Sequence, residues 1–289
     1  MRPMLSEPIT PRSASALTGM IRVAPSPDLA DVVEQHWVVR WDLCGLPALH
    51  RELLPDPSVN LVVEPSGVLL YGVGSCRGVR ELRGRGMAIG TKFLPGGFSG
   101  FRPGPLAAIT GRALTMADAF GPAGAQLDGA VAAADWDVSA TIFAVSRLLR
   151  AQRPPADPKR ELVMAVLEAM RAAEPGVRVG ELAARFAIVP RTMQRLFAWH
   201  VGVSPKQVLQ RLRRQRAIDQ LNSEPVTLAQ LAAALGYFDQ AHLARDFRAT
   251  LGCAPSALSA PRGSGAADRP RAETAQPSVR AAGAVSAAQ

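Results

Sequence analysis

The chain has 289 residues, is 48% apolar and carries a formal net charge of +9. That length allows two domains, and the apolar fraction is sufficient for buried cores. It contains no run of about 18 apolar residues, and its first twenty residues lack the apolar stretch of a signal peptide, so the sequence argues against a membrane span and against export. Its three cysteines are widely spaced and match no metal-binding pattern. We therefore expect a cytoplasmic protein with reduced thiols.

The front of the chain is predicted to be mostly β-structure. Residues 1–20 are rich in Ser, Pro and Thr and are expected to form a flexible lead-in. Residues 28–36 (DLADVVEQH) indicate a short helix. Up to about residue 110, apolar runs such as "VNLVVE" and "GVLLYGVG" alternate with turns rich in Pro and Gly, which is typical of strands. Helix-forming residues return between 113 and 150.

The back of the chain is predicted to be helical. The stretch "RPPADP", residues 153–158, indicates an interdomain linker because its three prolines cannot continue a helix. A long helix is predicted from Pro205 to about Asn222, and Gly236 is the expected end of a shorter one. Three residues that can accept hydrogen bonds from helix N-termini are the expected N-caps: Ser204, Thr227 and Asp239. Residues 259–289 lack periodicity and are expected to be disordered.

The positive charge is concentrated in these predicted helices. Residues 159–252 carry 14 Lys and Arg against 8 Asp and Glu, a net charge of +6, whereas residues 1–158 have a net charge of +1. A basic module indicates a polyanionic partner such as nucleic acid. A merely solvated basic surface is the alternative explanation.

One element occurs twice in this basic segment. "LAARF" at 182–186 matches "LAAAL" at 231–235 with an offset of 49, whereas from Met193 and Leu243 onward the offset is 50. The second copy therefore has one extra residue in the turn between its two helices, where length varies most readily. Each copy consists of a short Ala-rich helix, a tight turn and a second helix. This pattern predicts two helix-turn-helix units.

The polar face of each second helix offers groups that can read bases in the DNA major groove. Arg pairs bidentately with guanine, and Gln pairs with adenine. The candidates for base contact are Arg191, Gln194 and Arg195 in the first copy and Gln240, His242 and Arg245 in the second; the candidates for phosphate contact are Thr192, Lys206 and Arg248. The helix between the copies, residues 205–222, would be about 27 Å long. With the flanking units, that length suits two successive major grooves, roughly 34 Å apart.

Three features of this segment have two interpretations. The run "RLRRQR" at 211–216 either contacts phosphates or is only the exposed side of the connecting helix. Four aromatic residues offer rings for stacking on bases, but their spacing favours a buried core: Phe197, Trp199, Phe238 and Phe247. His242 is expected to be a polar surface residue near DNA rather than a metal ligand, because no other His or Cys lies at ligand spacing.

Residues 159–258 resemble the DNA-binding module of the AraC/XylS family of bacterial transcription regulators. The resemblance covers the whole module, from "LAARFAIVPRTMQRLF" to "HLARDFRATLGCAP". In that family the second helix of each unit contacts the bases, which implies base contact for the six candidate residues. Pro190 and Ala241 stand where many members have Ser, and this difference affects local cap or phosphate contacts.

The front part, residues 21–152, is similar to an uncharacterised N-terminal domain found on one branch of these regulators, with Leu94 in "FLPGGF" in place of an expected Arg. The similarity implies a degenerate cupin-like β-barrel with following helices, which senses a small molecule or mediates dimerisation. The predicted fold class is thus α+β. A mainly β domain is followed by an all-α domain, in which a long helix joins two helix-turn-helix units.

We expect a sequence-specific, DNA-binding transcription regulator without enzymatic activity, metal or cofactor. The front part lacks a His-x-His pattern with a downstream Glu, a nucleophile elbow and a phosphate loop. Double-stranded promoter DNA is the expected partner; a small-molecule effector, RNA polymerase and a second copy of the chain are further candidates. Two alternatives stay open: a nonspecific DNA-architectural protein, and a DNA-repair regulator whose Cys253 thiol accepts an alkyl group.

Overall fold

The computed structural model of this chain describes residues 18–53, 57–74, 78–223, 226–251 and 254–255. Cys76, Cys253, the predicted tail and most of the predicted lead-in lie outside these residues. The described residues belong to one compact unit of the chain. None of the helices they form is long and apolar enough to span a membrane.

The front part folds into antiparallel sheets, as the apolar runs predicted. Its strands are β1 (Thr18–Val23), β2 (Val33–Leu43), β3 (Leu49–Leu53), β4 (Asn60–Glu64), β5 (Gly67–Tyr71), β6 (Gly78–Leu82), β7 (Gly84–Phe93) and β8 (Ala113–Thr115). One sheet has six strands in the order β1-β2-β7-β4-β5-β8, and the other pairs β3 with β6. Sequence neighbours are thus not always sheet neighbours, since β7 lies between β2 and β4.

The helix predicted over residues 28–36 is wrong. Only Pro27–Leu29 is helical, as a single 3-10 turn, and β2 already begins at Val33. His36 and Val38 of this strand are buried, and β2 pairs with β7 along almost its whole length. Pairing with a strand about fifty residues away therefore overrides the local helix pattern, and the β-branched Val33 suits the strand.

Two glycines of β7 leave room for the tryptophans of β2. Trp37 is the register partner of Gly90, and Trp41 is the partner of Gly86. A Cβ atom built at Gly90 or Gly86 would lie only 2.0 or 2.3 Å from the facing indole ring. A side chain at either glycine would displace the ring, so these strand glycines serve packing.

Three helices follow β8: α1 (Met116–Phe120), α2 (Pro122–Ala133) and α3 (Val138–Ala151). Thr115 and Asp137 cap α1 and α3, since their side chains accept hydrogen bonds from backbone N–H groups of the first turns at 3.1 and 2.6 Å. An aromatic cluster joins the sheet to α1, with neighbouring ring centroids 5.0 to 6.4 Å apart: Phe93, Phe98, Phe101 and Phe120. The helices predicted for residues 113–150 are confirmed, except for the short strand β8.

The back part is helical, as predicted. Its helices are α4 (Pro158–Ala172), α5 (Val179–Arg185), α6 (Pro190–His200), α7 (Pro205–Ser223), α8 (Leu228–Ala234) and α9 (Gln240–Leu251). Ser204, Thr227 and Asp239 accept hydrogen bonds from the first turns of α7, α8 and α9 at 3.3, 3.2 and 2.6 Å, which confirms all three predicted caps. Between α3 and α4 the chain is not helical at Pro154 and Pro155, as expected, whereas Pro158, the third proline of the predicted linker, is the first residue of α4.

Helix α7 belongs to two hydrophobic cores. Val208, near its beginning, packs in a core with α4, α5 and α6. Ala217 and Leu221, near its end, pack in a second core with α8 and α9. The helix has 19 residues, which corresponds to about 28 Å. It therefore links two separately packed groups of helices as a rigid element, and we call it the connector.

Candidate nucleic-acid interface

The two helix-turn-helix units, α5–α6 and α8–α9, have equivalent turns. In the first unit the backbone N–H of Ile188 donates to the carbonyl of Ala183 at 3.0 Å, and in the second the N–H of Tyr237 donates to the carbonyl of Ala232 at 2.9 Å. Both pairs keep the offset of 49 that the sequence indicated. Each turn also contains one residue with positive φ, Ala187 at 52° and Gly236 at 68°. The internal repeat is thus a structural repeat.

Matching apolar residues hold each pair of helices together. Four equivalent pairs are all buried: Leu182 and Leu231, Ala183 and Ala232, Met193 and Leu243, Phe197 and Phe247. The first two pairs follow the offset of 49 and the last two follow the offset of 50. The turn hydrogen bonds keep the offset of 49 up to Ile188 and Tyr237, whereas the N-caps Val189 and Asp239 have the offset of 50, so the extra residue of the second unit lies between Tyr237 and Asp239.

The six candidate base-contacting residues are exposed on the second helices of the two units: Arg191, Gln194 and Arg195 on α6, and Gln240, His242 and Arg245 on α9. Residues 191, 194 and 195 are spaced to share one helix face. Lys206 and Arg248, predicted to contact phosphates, are also exposed, whereas Thr192 is half-buried. The structure therefore presents the candidate residues as two separate polar surfaces, one on each unit.

The N-termini of α6 and α9 differ. Asp239 caps α9 through its carboxylate, whereas the N-cap of α6 is Val189, whose side chain has no acceptor.

The backbone N–H of Phe238 donates to Nδ1 of His242 at 3.5 Å, and the His242 ring meets Tyr237 edge-on at a centroid distance of 5.3 Å. The imidazole of His242 is therefore held by its own turn, with Nδ1 as the acceptor.

The connector arginines bind the protein itself. Arg214 Nη1 lies 3.1 Å from Asp246 Oδ1, and the Arg213 guanidinium lies over the Tyr237 ring, 5.2 Å from its centroid. Arg216 donates to the carbonyl of Arg171 at 2.6 Å. These three arginines thus help to pack the connector, a role that neither interpretation of "RLRRQR" included. Sequence reasoning missed this role because the partners are distant along the chain.

The prediction of four core aromatics is half correct. Phe197 and Phe247 are fully buried, whereas Trp199 is 50% exposed and Phe238 is 91% exposed. Trp199 lies on the outer side of α6, and Phe238 is the extra residue of the second turn. In the second unit the core position expected for Phe238 is filled by its neighbour Tyr237, which is buried and donates to Asp246 Oδ2 at 2.7 Å.

The front part contacts the C-terminal end of α6. The buried His200, the last residue of α6, places Nδ1 2.6 Å from Ser99 Oγ, and Thr110 Oγ1 donates to the carbonyl of Gly202 at 2.8 Å. On its other side, Nε2 of His200 lies 3.9 Å from Asp157. Burial lowers the pKa of His200, and the nearby Asp157 carboxylate opposes this effect. A histidine ending an amphipathic helix was the only sequence signal for this contact.

The described residues of the front part include histidine and cysteine, two side chains that can bind metals or act as nucleophiles. Nowhere among the described residues do three His, Cys, Asp or Glu side chains cluster in a way that could hold a metal ion. His36 is buried with Nδ1 2.9 Å from Thr91 Oγ1, and burial lowers its pKa. Cys44 is exposed, and its hydrogen bond to Asp42 raises the pKa of its thiol, which disfavours the reactive thiolate.

Two family models match separate parts of the chain. Residues 182–260 match the family described as "Helix-turn-helix domain", which is of the AraC type. Residues 21–115 match a "Domain of unknown function (DUF6597)". The first match covers both helix-turn-helix units except the beginning of α5 and does not include α4, and the second covers the strands β1 to β8 except the beginning of β1.

Curated relatives match over the helical module. The activator RhaS of Pectobacterium carotovorum is 34% identical over 82 residues, 28% of this chain and 29% of that protein. The regulator CdhR of Pseudomonas aeruginosa is 30% identical over 97 residues, 34% of this chain and 29% of that protein. This chain thus spans less than a third of the length of these relatives. Among solved structures, the DNA-binding domain of AdpA in complex with a target DNA has 30% sequence identity to this chain. The match covers 36% of this chain and 91% of that chain, with a TM-score of 0.31.

Proposed function

We propose that this chain is a sequence-specific, DNA-binding transcription regulator of the AraC type, because residues 182–260 match a helix-turn-helix family and the curated relatives of that segment are transcription regulators. Helices α6 and α9 each enter a major groove, and the two grooves follow one another on one face of the duplex. The observation that carries this proposal is the connector, whose two ends are built into two different cores. A rigid helix of about 28 Å fixes the separation of the two units in a way that suits one turn of DNA, roughly 34 Å.

The exposed residues of α6 and α9 supply the readout in this proposal. Arg191, Gln194 and Arg195 contact bases of one half-site, and Gln240, His242 and Arg245 contact bases of the other. Thr192, Lys206 and Arg248 bind phosphates. The side-chain chemistry supports these roles, since Arg and Gln pair with purine edges and cationic groups bind the backbone.

The domain boundaries belong to the same proposal. Residues 21–152 form a regulatory domain, 153–158 a linker and 159–258 the DNA-binding domain. A small molecule bound to the regulatory domain would act through the contacts of Ser99 and Thr110 with the end of α6. RNA polymerase and a second copy of the chain are further proposed partners. The chain is proposed to have no enzymatic activity and to act in the cytoplasm, where bacterial promoters are.

Selection of bound sequences from a random duplex pool tests this function. The full chain is used at one fixed salt concentration near physiological, because phosphate contacts make affinity depend strongly on salt. We expect a bipartite motif whose two parts are about one helical turn apart. Similar affinity for every duplex would instead indicate a nonspecific architectural protein, and enrichment of a single half-site would show that only one unit reads bases.

A further inference from the structure

The side chain of Phe238 has almost no contact with the rest of the described chain, although the backbone on both sides of it is fixed. On one side Tyr237 is buried, with its hydroxyl bound to Asp246 and its ring under Arg213. On the other side the Asp239 carboxylate accepts the backbone N–H of His242 at 2.6 Å. The backbone N–H of Phe238 donates to His242 as well. The phenyl ring is therefore presented from a rigid turn.

The fold does not require a phenylalanine at this position. When the N-caps Val189 and Asp239 are aligned, Phe238 is the one residue by which the second turn is longer; the exposed apolar residue of the first unit is the cap Val189 itself, which is aliphatic and 63% exposed. Both units nevertheless bury the same anchors, so the extra residue adds nothing to the core. An apolar ring held in solvent costs free energy until a partner covers it. The position of the ring thus indicates a contact beyond the described part of the chain.

The neighbours of Phe238 identify the partner. Asp239, Gln240, Ala241 and His242 follow it and are all exposed, and together they form the N-terminal end of α9. In a helix-turn-helix unit this end meets the base edges in the major groove. The carboxylate of Asp239, the next residue along the chain, disfavours a phosphate as the partner. The apolar group available among the base edges of that groove is the C5-methyl of thymine, which Phe side chains can contact.

We propose that Phe238 contacts a thymine methyl group in the half-site read by α9. This inference rests on the proposed function, and it adds a specificity-determining residue that the first unit lacks. The two half-sites should therefore differ: the one bound by α9 contains a thymine whose methyl group contributes to affinity. The contact adds an apolar element to the polar readout by Gln240, His242 and Arg245.

Replacing thymine with deoxyuridine, which removes only the methyl group, tests this proposal on the duplex recovered by selection. The full-length chain should lose about three- to fivefold in affinity when one thymine of the α9 half-site is replaced. The variant Phe238→Ala should bind the thymine duplex at least that much more weakly, and it should bind the thymine and deoxyuridine duplexes equally well. Phe238→Leu, which keeps an apolar side chain, should retain part of the discrimination.

Phe143→Ala is the matched control, because Phe143 is also an exposed phenylalanine, 63% exposed, but lies on α3 of the front part. It should bind both duplexes as the unmodified chain does. The proposal is overturned if Phe238→Ala binds the thymine duplex with unchanged affinity, or if it weakens binding to both duplexes by the same factor. Failure of the unmodified chain to select any sequence would instead refute the proposed function, before the variant is tested.

Discussion

Arg214 of the connector and Asp246 of α9 form an ion pair of 3.1 Å, and the two side chains are only 12% and 17% exposed. The same carboxylate accepts the Tyr237 hydroxyl at 2.7 Å. Burial and the hydrogen bond to Asp246 both raise the pKa of Tyr237, so the phenol stays protonated as the donor. One carboxylate thus joins the connector, the turn and the second helix of the second unit.

Asp246→Ala is expected to destabilise the second unit by about 2–3 kcal/mol, because it leaves a largely buried arginine and a buried hydroxyl without their acceptor. Urea unfolding of the full chain measures this loss. DNA binding should weaken chiefly at the half-site read by α9. Asp219→Ala is the control: Asp219 is an exposed acidic residue of the connector and should change the unfolding free energy by less than about 0.5 kcal/mol. Equal effects of the two substitutions would contradict the assigned role of Asp246.

The two equivalent turns make opposite predictions for substitution. Ala187 has φ of 52°, a region that favours glycine, so Ala187→Gly should stabilise the chain by about 0.5–1 kcal/mol. Gly236→Ala should destabilise it by about 1 kcal/mol or more, since φ is 68° and the new Cβ would lie 3.2 Å from the Cα of Gly176. Thermal or urea unfolding measures both. Ala184→Gly, within α5, provides the contrast and should lower stability by roughly 0.5–1 kcal/mol.

Base contacts and phosphate contacts should be separable by substitution. Arg245→Ala or Gln194→Ala should each cost about 1–3 kcal/mol on the selected duplex and relax base preference in one half-site only. Lys206→Ala should weaken binding to all duplexes alike. It should also reduce the slope of log affinity against log salt concentration by about 1, which is the contribution of one phosphate contact. The comparison needs titrations of selected and random duplexes at several salt concentrations. Unchanged discrimination by the Arg245 and Gln194 variants would show that the base contacts lie elsewhere.

A break in the connector should uncouple the two units. Leu212→Pro removes a backbone donor from the middle of α7 and should cost about 3 kcal/mol or more. Leu212→Ala, which keeps the helix, is the control for loss of the side chain. Footprinting on the selected duplex should show two protected grooves for the control, whereas the proline variant should protect them independently or not at all. A normal two-groove footprint for the proline variant would mean that the connector does not set the spacing.

His200 should make stability depend on pH. Burial holds its pKa in the folded chain below the ordinary value, near 6.5, so the unfolded chain binds this proton more readily. The stabilising contribution of the neutral imidazole is complete above about pH 6.5 and is lost as the pH falls toward the lower pKa of the folded state. His200→Gln should therefore flatten the fall of the unfolding free energy below pH 6.5, by at most about 1.4 kcal/mol per pH unit.

His36 has a lowered pKa for the same reason and contributes a similar slope to both proteins, so it cancels from the difference between them. Unfolding measured across pH 5 to about 7.5 would check the prediction. Parallel curves for the unmodified chain and His200→Gln would show that His200 is protonated equally readily in the folded and unfolded states.

Much of the helical module could be predicted because its signals are local. Ser204, Thr227 and Asp239 cap their helices through bonds to residues three positions later, and each was predicted from residue type alone. The repeat with its change of offset was visible in the sequence and recurs in the two turns. The predicted helix at residues 28–36 failed because pairing of β2 with β7 decided the structure there. The base and phosphate contacts of α6 and α9 remain predictions.

The sequence by itself determined the helices of the back part, their caps and the two repeated units, because each depends on residues within one or two helical turns of each other. Only the tertiary structure decided which side chains are exposed and which hold the fold. Arg214 meets Asp246 across 32 positions, and Ser99 meets His200 across 101. The exposure of Phe238 was decided in the same way, because Tyr237 takes the place in the second core. Such contacts depend on how distant segments pack, and no local pattern of residues specifies that packing.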